Sequence, residues 1–312
     1  MSSIARKLVL SVVAVLLSVL AFGTTTFAWF TITNVSEVQP FESDIVTDNG
    51  IEVSLDGATW VTTLTTEMID AYITAEYPGG FAFNHVTSTT GHSNFSTLGT
   101  LGVTDDGTAS VLRIDLLFRS NNANAIEWTN VSLLGTSASW TSDVSFVRTS
   151  SVVEGAPVVS AASIAVNPAN AMRISVLGNH VSDAVVVYEL PAGDNDGAYN
   201  TVLGGDGITP VDFSDGVGVA MGDPGSYNYY YEKTGALITG TNAVVTAASI
   251  TAVDDNTNAR LVLHMTENST YDTTYWGQVS IRIWFEGWDG EAYNSLLGRM
   301  ITTSFTFEGT SV

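Results

Sequence analysis

The chain contains no cysteine. That excludes disulfide staples, thiol catalysis, and zinc or iron–sulfur sites built on thiolates. Positive charge is also scarce: 10 basic residues stand against 32 acidic ones, for a net charge of −22, and Lys7 and Lys233 are the only lysines. A surface of that sign repels phosphate backbones, so nucleic-acid binding is not expected. Anionic membrane surfaces are disfavoured for the same reason. Several catalytic signatures are missing too. No His-Glu-x-x-His pair, Gly-x-Ser-x-Gly elbow or phosphate-cradling loop occurs, so helix-borne zinc proteolysis, α/β-hydrolase chemistry and P-loop chemistry have no anchor. Thirty-two acids allow a carboxylate pair for glycoside hydrolysis, but nothing selects one. No enzymatic activity is expected.

What is present begins at the N-terminus. Arg6 and Lys7 precede a run from Leu8 to Phe22 broken only by Ser11 and Ser18. Gly23, Thr24, Thr25 and Thr26 end the run, and Phe27-Ala28-Trp29-Phe30 follows. A charged start, a short apolar run and a small-residue exit make a secretory signal peptide over 1–28, with cleavage after Ala28. The run alone is shorter than the roughly 20 residues that span a bilayer as a helix. A retained anchor from Leu8 to Phe30 is the rival reading, which Gly23 and the threonines weaken. Contact with a membrane is expected only through this segment before cleavage. The expected location is extracellular or at the cell surface.

Residues 29–312 read as one large all-β domain. The hydrophobic fraction is 45%, enough for a sizeable core without staples, and alternation is far commoner than helical spacing. Strands are expected at Gly50–Leu55, Thr59–Leu64, Ser110–Arg119, Ile126–Leu134, Ala171–Leu177, Ala184–Leu190, Ala243–Ile250, Ala259–Thr266, Gly277–Phe285 and Met300–Phe307. The first two should pair across the Asp56-Gly57 turn. Short helices are expected at Thr66–Ile73, which Pro78-Gly79-Gly80 stops, and at Asp289–Leu297. Residues 84–109 read as a long surface loop, and 191–226 as a loop-rich excursion from the sheet. Many strands, no βαβ rhythm and long loops point to an antiparallel β-sandwich of jelly-roll type.

The chain has four histidines, His85, His92, His180 and His264, of which only His85 and His92, six intervening residues apart in one loop, offer a metal pair. His85 and His92 read as exposed loop residues, and His264 as a hydrogen-bonded residue within a strand. Asp194 and Asp196 are spaced like the start of a calcium loop, making calcium the one candidate cofactor; Gly205 stands where such a loop places its bidentate glutamate. The turns at Asp105-Asp106-Gly107 and Asp254-Asp255-Asn256 are weaker versions of the same pattern. Glu286 and Asp289 flank Gly287-Trp288, an arrangement that suits sugar stacking, although a strand-to-helix turn capped by Asp289 is the simpler reading. The aromatic clusters Tyr227, Tyr229, Tyr230, Tyr231 and Tyr271, Tyr275, Trp276 are read first as cross-strand packing.

The stretch from the basic start through Thr26-Phe27-Ala28-Trp29-Phe30 resembles the TasA/camelysin group of secreted bacterial proteins. Ile281-Arg282-Ile283-Trp284-Phe285-Glu286-Gly287-Trp288-Asp289 is similar to a strand-plus-turn of related surface proteins. The resemblance implies a jelly-roll subunit of a surface or biofilm-matrix fibre, exported through a dedicated signal peptidase. It also implies that the segment after the cleavage point completes a neighbour's sheet. The residues allow this on their own account. Trp29, Phe30, Thr31, Ile32, Thr33, Asn34 and Val35 alternate, with Phe30 and Ile32 on one face and Thr31 and Thr33 on the other. Such a strand can add to an open sheet edge, and a head-to-tail contact that does not close makes a filament. The expected partners are further copies of this chain, with accessory matrix or surface proteins beside them. The alternative is a monomeric adhesin or carbohydrate-binding sandwich.

Overall fold

The computed structural model describes residues 45–48, 50–81, 83, 85–88, 90–93, 95–97, 103–104, 110–147, 157–158, 161–189, 233, 259–286 and 301–312. Eighteen strands are described. The first six are β1 (Ile45–Asp48), β2 (Ile51–Ser54), β3 (Thr63–Leu64), β4 (His85–Ser88), β5 (Phe95–Thr97) and β6 (Val103–Thr104). Next come β7 (Leu112–Ser120), β8 (Ala125–Gly135), β9 (Ala138–Thr141), β10 (Phe146–Val147), β11 (Pro157–Val158) and β12 (Ser163–Val166). The last six are β13 (Met172–Gly178), β14 (Val186–Tyr188), β15 (Arg260–His264), β16 (Thr266–Glu267), β17 (Tyr275–Glu286) and β18 (Ile301–Thr310). One α-helix, α1 (Thr66–Glu76), and a single 3-10 turn at Pro168–Ala171 complete the described elements. Among the described residues no helix is long and apolar enough to cross a membrane.

The fold is all-β, as its composition implies. A five-stranded sheet runs β15-β8-β18-β1-β3. A nine-stranded sheet is built around β17, which pairs β13 on one side and β7 on the other, with β2 beyond β7. Two small ribbons, β9 with β12 and β10 with β11, lie outside both sheets. Pairing is antiparallel except where β1 runs parallel to β18 and β4 parallel to β17.

The central strands show why this sequence makes a sheet. In β7, Leu112, Ile114, Leu116 and Phe118 are buried while Arg113, Asp115, Leu117 and Arg119 are only half-buried. That is the period-2 signature of a strand with one face on a core. The last residues of β17, Ile281 to Glu286, are buried on both faces. The two large sheets share one apolar core. Phe118 of the nine-stranded sheet meets Phe307 of the five-stranded sheet edge-on, 5.2 Å between ring centroids, and Trp128 stacks beside Phe307. Truncating such a ring to alanine costs roughly 3–5 kcal/mol through lost burial and the cavity left behind.

Several expectations need correction. Thr59–Leu64 does not form a hairpin with β2 beyond the single Val53–Val61 bridge; β2 pairs with β7, and Thr63–Leu64 pairs with β1. Between the two bridged residues the Asp56 loop is closed by its own side chain. Asp56 Oδ1 accepts from the backbone N–H groups of Thr59 (2.7 Å) and Ala58 (2.8 Å) and from Ser54 Oγ (2.9 Å), and Gly57 sits at φ +72°. Helix α1 extends to Glu76, one turn past the expected end, and closes through the Tyr77 N–H donating to Ile73 C=O.

Residues 84–109 are not merely a surface loop, since they contain β4, β5 and β6. Their turn folds over the outer face of the nine-stranded sheet, where Val86, Phe95, Val111, Val187 and Trp284 form a second apolar cluster. Gly91, at φ +78°, passes so close that an added Cβ would lie 2.7 Å from Val187 Cγ2. The expected signal peptide, the excursion at 191–226, the strand at Ala243–Ile250 and the helix at Asp289–Leu297 lie outside the described residues.

Candidate functional site

Open strand edges invite strand addition, and two of the edges in this fold are closed by side chains. On β7, β2 covers only Leu117 to Ser120. Beyond that, α1 and its C-cap present two tyrosines to the exposed ladder. Tyr77 Oη accepts from the Arg113 N–H (3.0 Å) and Tyr72 Oη from the Asp115 N–H (3.4 Å). Burial raises the pKa of both hydroxyls above 10, so they remain protonated across the physiological range. On β15, the outer edge is met by the turn between β13 and β14, where Asp183 Oδ1 accepts from the His264 N–H at 3.0 Å. Side-chain oxygens thus take the places that a further strand's carbonyls would fill.

The β18 edge differs. All of β18, Ile301 to Thr310, pairs with β8 on one side. On the other side β1 covers only Phe305 to Glu308. Among the described residues, no strand or capping side chain faces Ile301 to Ser304 on that side. Thr303 is buried and its Oγ1 has no hydrogen-bond partner.

A second constellation joins the two large sheets. His180 and Asp183 lie in the β13–β14 turn and His264 ends β15. The three donor atoms lie within 4.8 Å of one another, and among the described residues no other group of three His, Asp or Glu side chains could hold a metal. Asp183 Oδ1 is 2.7 Å from His264 Nδ1, and Asp183 Oδ2 accepts from the His180 N–H at 2.9 Å. The Asp183 carboxylate is 1% exposed and the His264 side chain 31%. The backbones close tightly here: a Cβ on Gly178 would lie 2.0 Å from Asp183 Oδ2 and 2.5 Å from Val262 C=O. Two imidazoles and a carboxylate form a donor set suited to zinc and neighbouring divalent transition metals. The sequence pointed to His264 as a hydrogen-bonded strand residue, which it is, but nothing linked it to Asp183, 81 positions away.

The other sequence candidates fall elsewhere. His92 is buried, not an exposed loop residue, with its Nδ1 2.8 Å from Ser175 Oγ. It owes this to the turn that covers the outer sheet face. The side chain of His85 lies outside the described residues. Glu286 does not face solvent beside a sugar platform. It is fully buried, and its Oε2 accepts from Arg173 Nη1 (2.9 Å) and Trp284 Nε1 (3.1 Å), while Arg173 Nε reaches Glu189 (3.1 Å). The β13 neighbour supplies that arginine, which the linear sequence could not reveal. Tyr271 packs edge-on against Trp60 and Trp276, and the Arg119 guanidinium lies 4.5 Å over the Trp60 ring; because Tyr271 lies in the β16–β17 turn and Trp60 between β2 and β3, this is loop packing against the sheet and not the cross-strand pairing expected.

Cleavage residue Ala28, the donor candidates Trp29 to Val35, the calcium candidates Asp194 and Asp196, Trp288, Asp289 and Tyr227 to Tyr231 lie outside the described residues. No protein-family model, curated protein or solved structure matches the chain.

Proposed function

We propose that the protein is a non-enzymatic, extracellular jelly-roll-like subunit of a filament, released by cleavage after Ala28 and joined head-to-tail by strand addition. Trp29–Val35 of one copy adds to the β18 edge of the next. The observation that carries this reading is that β18 pairs β8 along its whole length, while among the described residues β1 meets its other side only at Phe305 to Glu308. Two other edges are closed by Tyr72, Tyr77 and Asp183, whereas Ile301 to Ser304 has a ladder on the β8 side alone among the described residues. The donor segment lies upstream of β1 in the same chain, and β1 already runs beside β18. A strand whose Phe30 and Ile32 turn inward would continue the core face that Phe305 and Phe307 occupy on β18, and its backbone would satisfy the open ladder. Cleavage would act as the switch, because an uncleaved Trp29 remains tied to the apolar run. The low lysine count and acidic surface keep unassembled subunits apart and soluble.

The test is electron microscopy of the secreted chain beginning at Trp29, beside a chain beginning at Ser36. Filaments from the first and monomers from the second are expected. Filaments of equal length and number from the shorter chain would overturn strand donation.

A further inference from the structure

We infer that His180, Asp183 and His264 form a binding site for a divalent transition metal of the zinc class, which staples the two large sheets together. The site is independent of the filament reading, and its ligands come from opposite sheets. His180 and Asp183 belong to the turn that closes β13 to β14, and His264 to the end of β15.

Three observations converge. The first is charge. Asp183 presents a carboxylate that is 1% exposed, and among the described residues the one group in ion-pair reach is the His264 imidazole, which is charged only when protonated. No lysine or arginine among the described residues pairs with it. A buried carboxylate needs a counter-charge, and a chain with 10 basic residues and 32 acidic ones has few to spare.

The second is preorganisation. The carboxylate is held by backbone N–H groups from both sides, His180 N–H on Oδ2 at 2.9 Å and His264 N–H on Oδ1 at 3.0 Å. The turn is closed by Asp183 N–H donating to His180 C=O at 2.9 Å. The third is geometry. The donors lie within 4.8 Å of one another, with His264 Nδ1 and Asp183 Oδ1 at 2.7 Å. Ligands at zinc distances of about 2.0–2.2 Å stand about 3.3 Å apart around a tetrahedron. Side-chain adjustments of up to about 1.5 Å therefore close the set, leaving the fourth position for water.

The contact with Asp183 fits the neutral tautomer with Nδ1–H donating, and a metal bound at Nδ1 shifts that proton to Nε2. The two imidazoles are partly exposed, and Val181, next to His180, is 94% exposed, so the metal has an entry path from solvent. A bond across this seam does what a disulfide does in other secreted chains: it ties distant parts of the chain together without a larger core.

The full chain, stripped with chelator, is titrated with Zn²⁺ by calorimetry and with Co²⁺ by visible absorption, and its Tm is followed in parallel. One Zn²⁺ per chain is expected, with a Tm rise of several degrees and cobalt bands typical of nitrogen and oxygen ligands. His264→Ala and His180→Ala should each weaken binding at least tenfold. His180→Ala keeps the fold testable, because among the described residues its imidazole takes part in one hydrogen bond, from the Ser182 N–H at 3.2 Å, beside a ring contact with His264, and its metal-free Tm should stay close to that of the unaltered chain. Three results would overturn the site: no Zn²⁺ uptake, undiminished uptake by the double His180→Ala, His264→Ala chain, or calcium binding at equal strength in the same competition.

Discussion

Asp183 contacts His264 twice, accepting from its backbone N–H at 3.0 Å and lying 2.7 Å from its Nδ1. One carboxylate therefore closes the edge of β15 and pins the imidazole. Asp183→Ala leaves the His264 and His180 N–H groups without their acceptor. In chelator, we expect a loss of about 2–4 kcal/mol by urea denaturation, because partly buried donors are stranded. Asp183→Asn keeps an acceptor oxygen and should recover about half of that loss. An alanine variant within 0.5 kcal/mol of the unaltered chain would show that the contact is incidental.

The buried cluster of Arg173, Glu189 and Glu286 should be sensitive to the loss of any one member. Glu286→Ala removes the acceptor shared by Arg173 Nη1 and Trp284 Nε1 and leaves the arginine charge less compensated. A loss of roughly 3–5 kcal/mol is expected from equilibrium unfolding.

Asp56 supplies a pH signature. Hydrogen bonds from the Thr59 and Ala58 N–H groups and from Ser54 lower its pKa from 3.8 to about 2. A carboxyl with a depressed folded pKa adds stability that is present above about pH 4 and lost as pH falls through about 2. The group is almost fully solvated, so the contribution is modest, about 1 kcal/mol for Asp56→Ala at pH 7. The gap between the two proteins should narrow between pH 4 and pH 2. A gap that stays constant over that window would contradict the assignment.

Tyr72 and Tyr77 should matter through their hydroxyls. Tyr77→Phe removes the acceptor for the Arg113 N–H and reopens the β7 edge. We expect a loss of about 1–2 kcal/mol and faster aggregation by light scattering. Since burial raises both tyrosine pKa values, the contribution persists below pH 10 and is lost as pH rises through the higher folded value.

Much of the fold was legible where one face of a strand carries the core. Strands β2, β7, β8, β13, β15, β17 and β18 fall within a few residues of the alternating runs at Ile51, Leu112, Ile126, Met172, Leu261, Val279 and Phe305, because alternation records burial directly. Helix α1 was legible from the spacing of Met68, Ile69, Tyr72 and Ile73. Strands β4 and β5 were hidden among Ser and Thr. Val86 and Phe95 anchor them against Trp284 and Val187, which lie far along the chain. The pairing of β2 with the segment beyond Asp56 was legible only as far as the Val53–Val61 bridge, because a DG step signals a turn but not how far the strands continue past it. Of the His-Asp-His cluster, only the local half, His180 and Asp183, is close in sequence, and a His-x-x-Asp turn has no signature of its own. His264 joins it only because β15 and the β13–β14 turn meet at the seam beside Gly178.

The absence of cysteine makes strand donation directly measurable. Thr31→Cys or Thr33→Cys is placed on the outward face of the donor segment in one preparation, and Thr302→Cys or Ser304→Cys on the half-buried face of β18 in another. Paired residues on adjacent strands stand close enough for a disulfide. Mixing the two preparations under oxidising conditions should yield covalent dimers by non-reducing electrophoresis, and a chain carrying both cysteines should yield ladders of multimers. A doubly substituted chain that cross-links only within its own monomer, with no dimer from the mixture, would contradict donation between subunits.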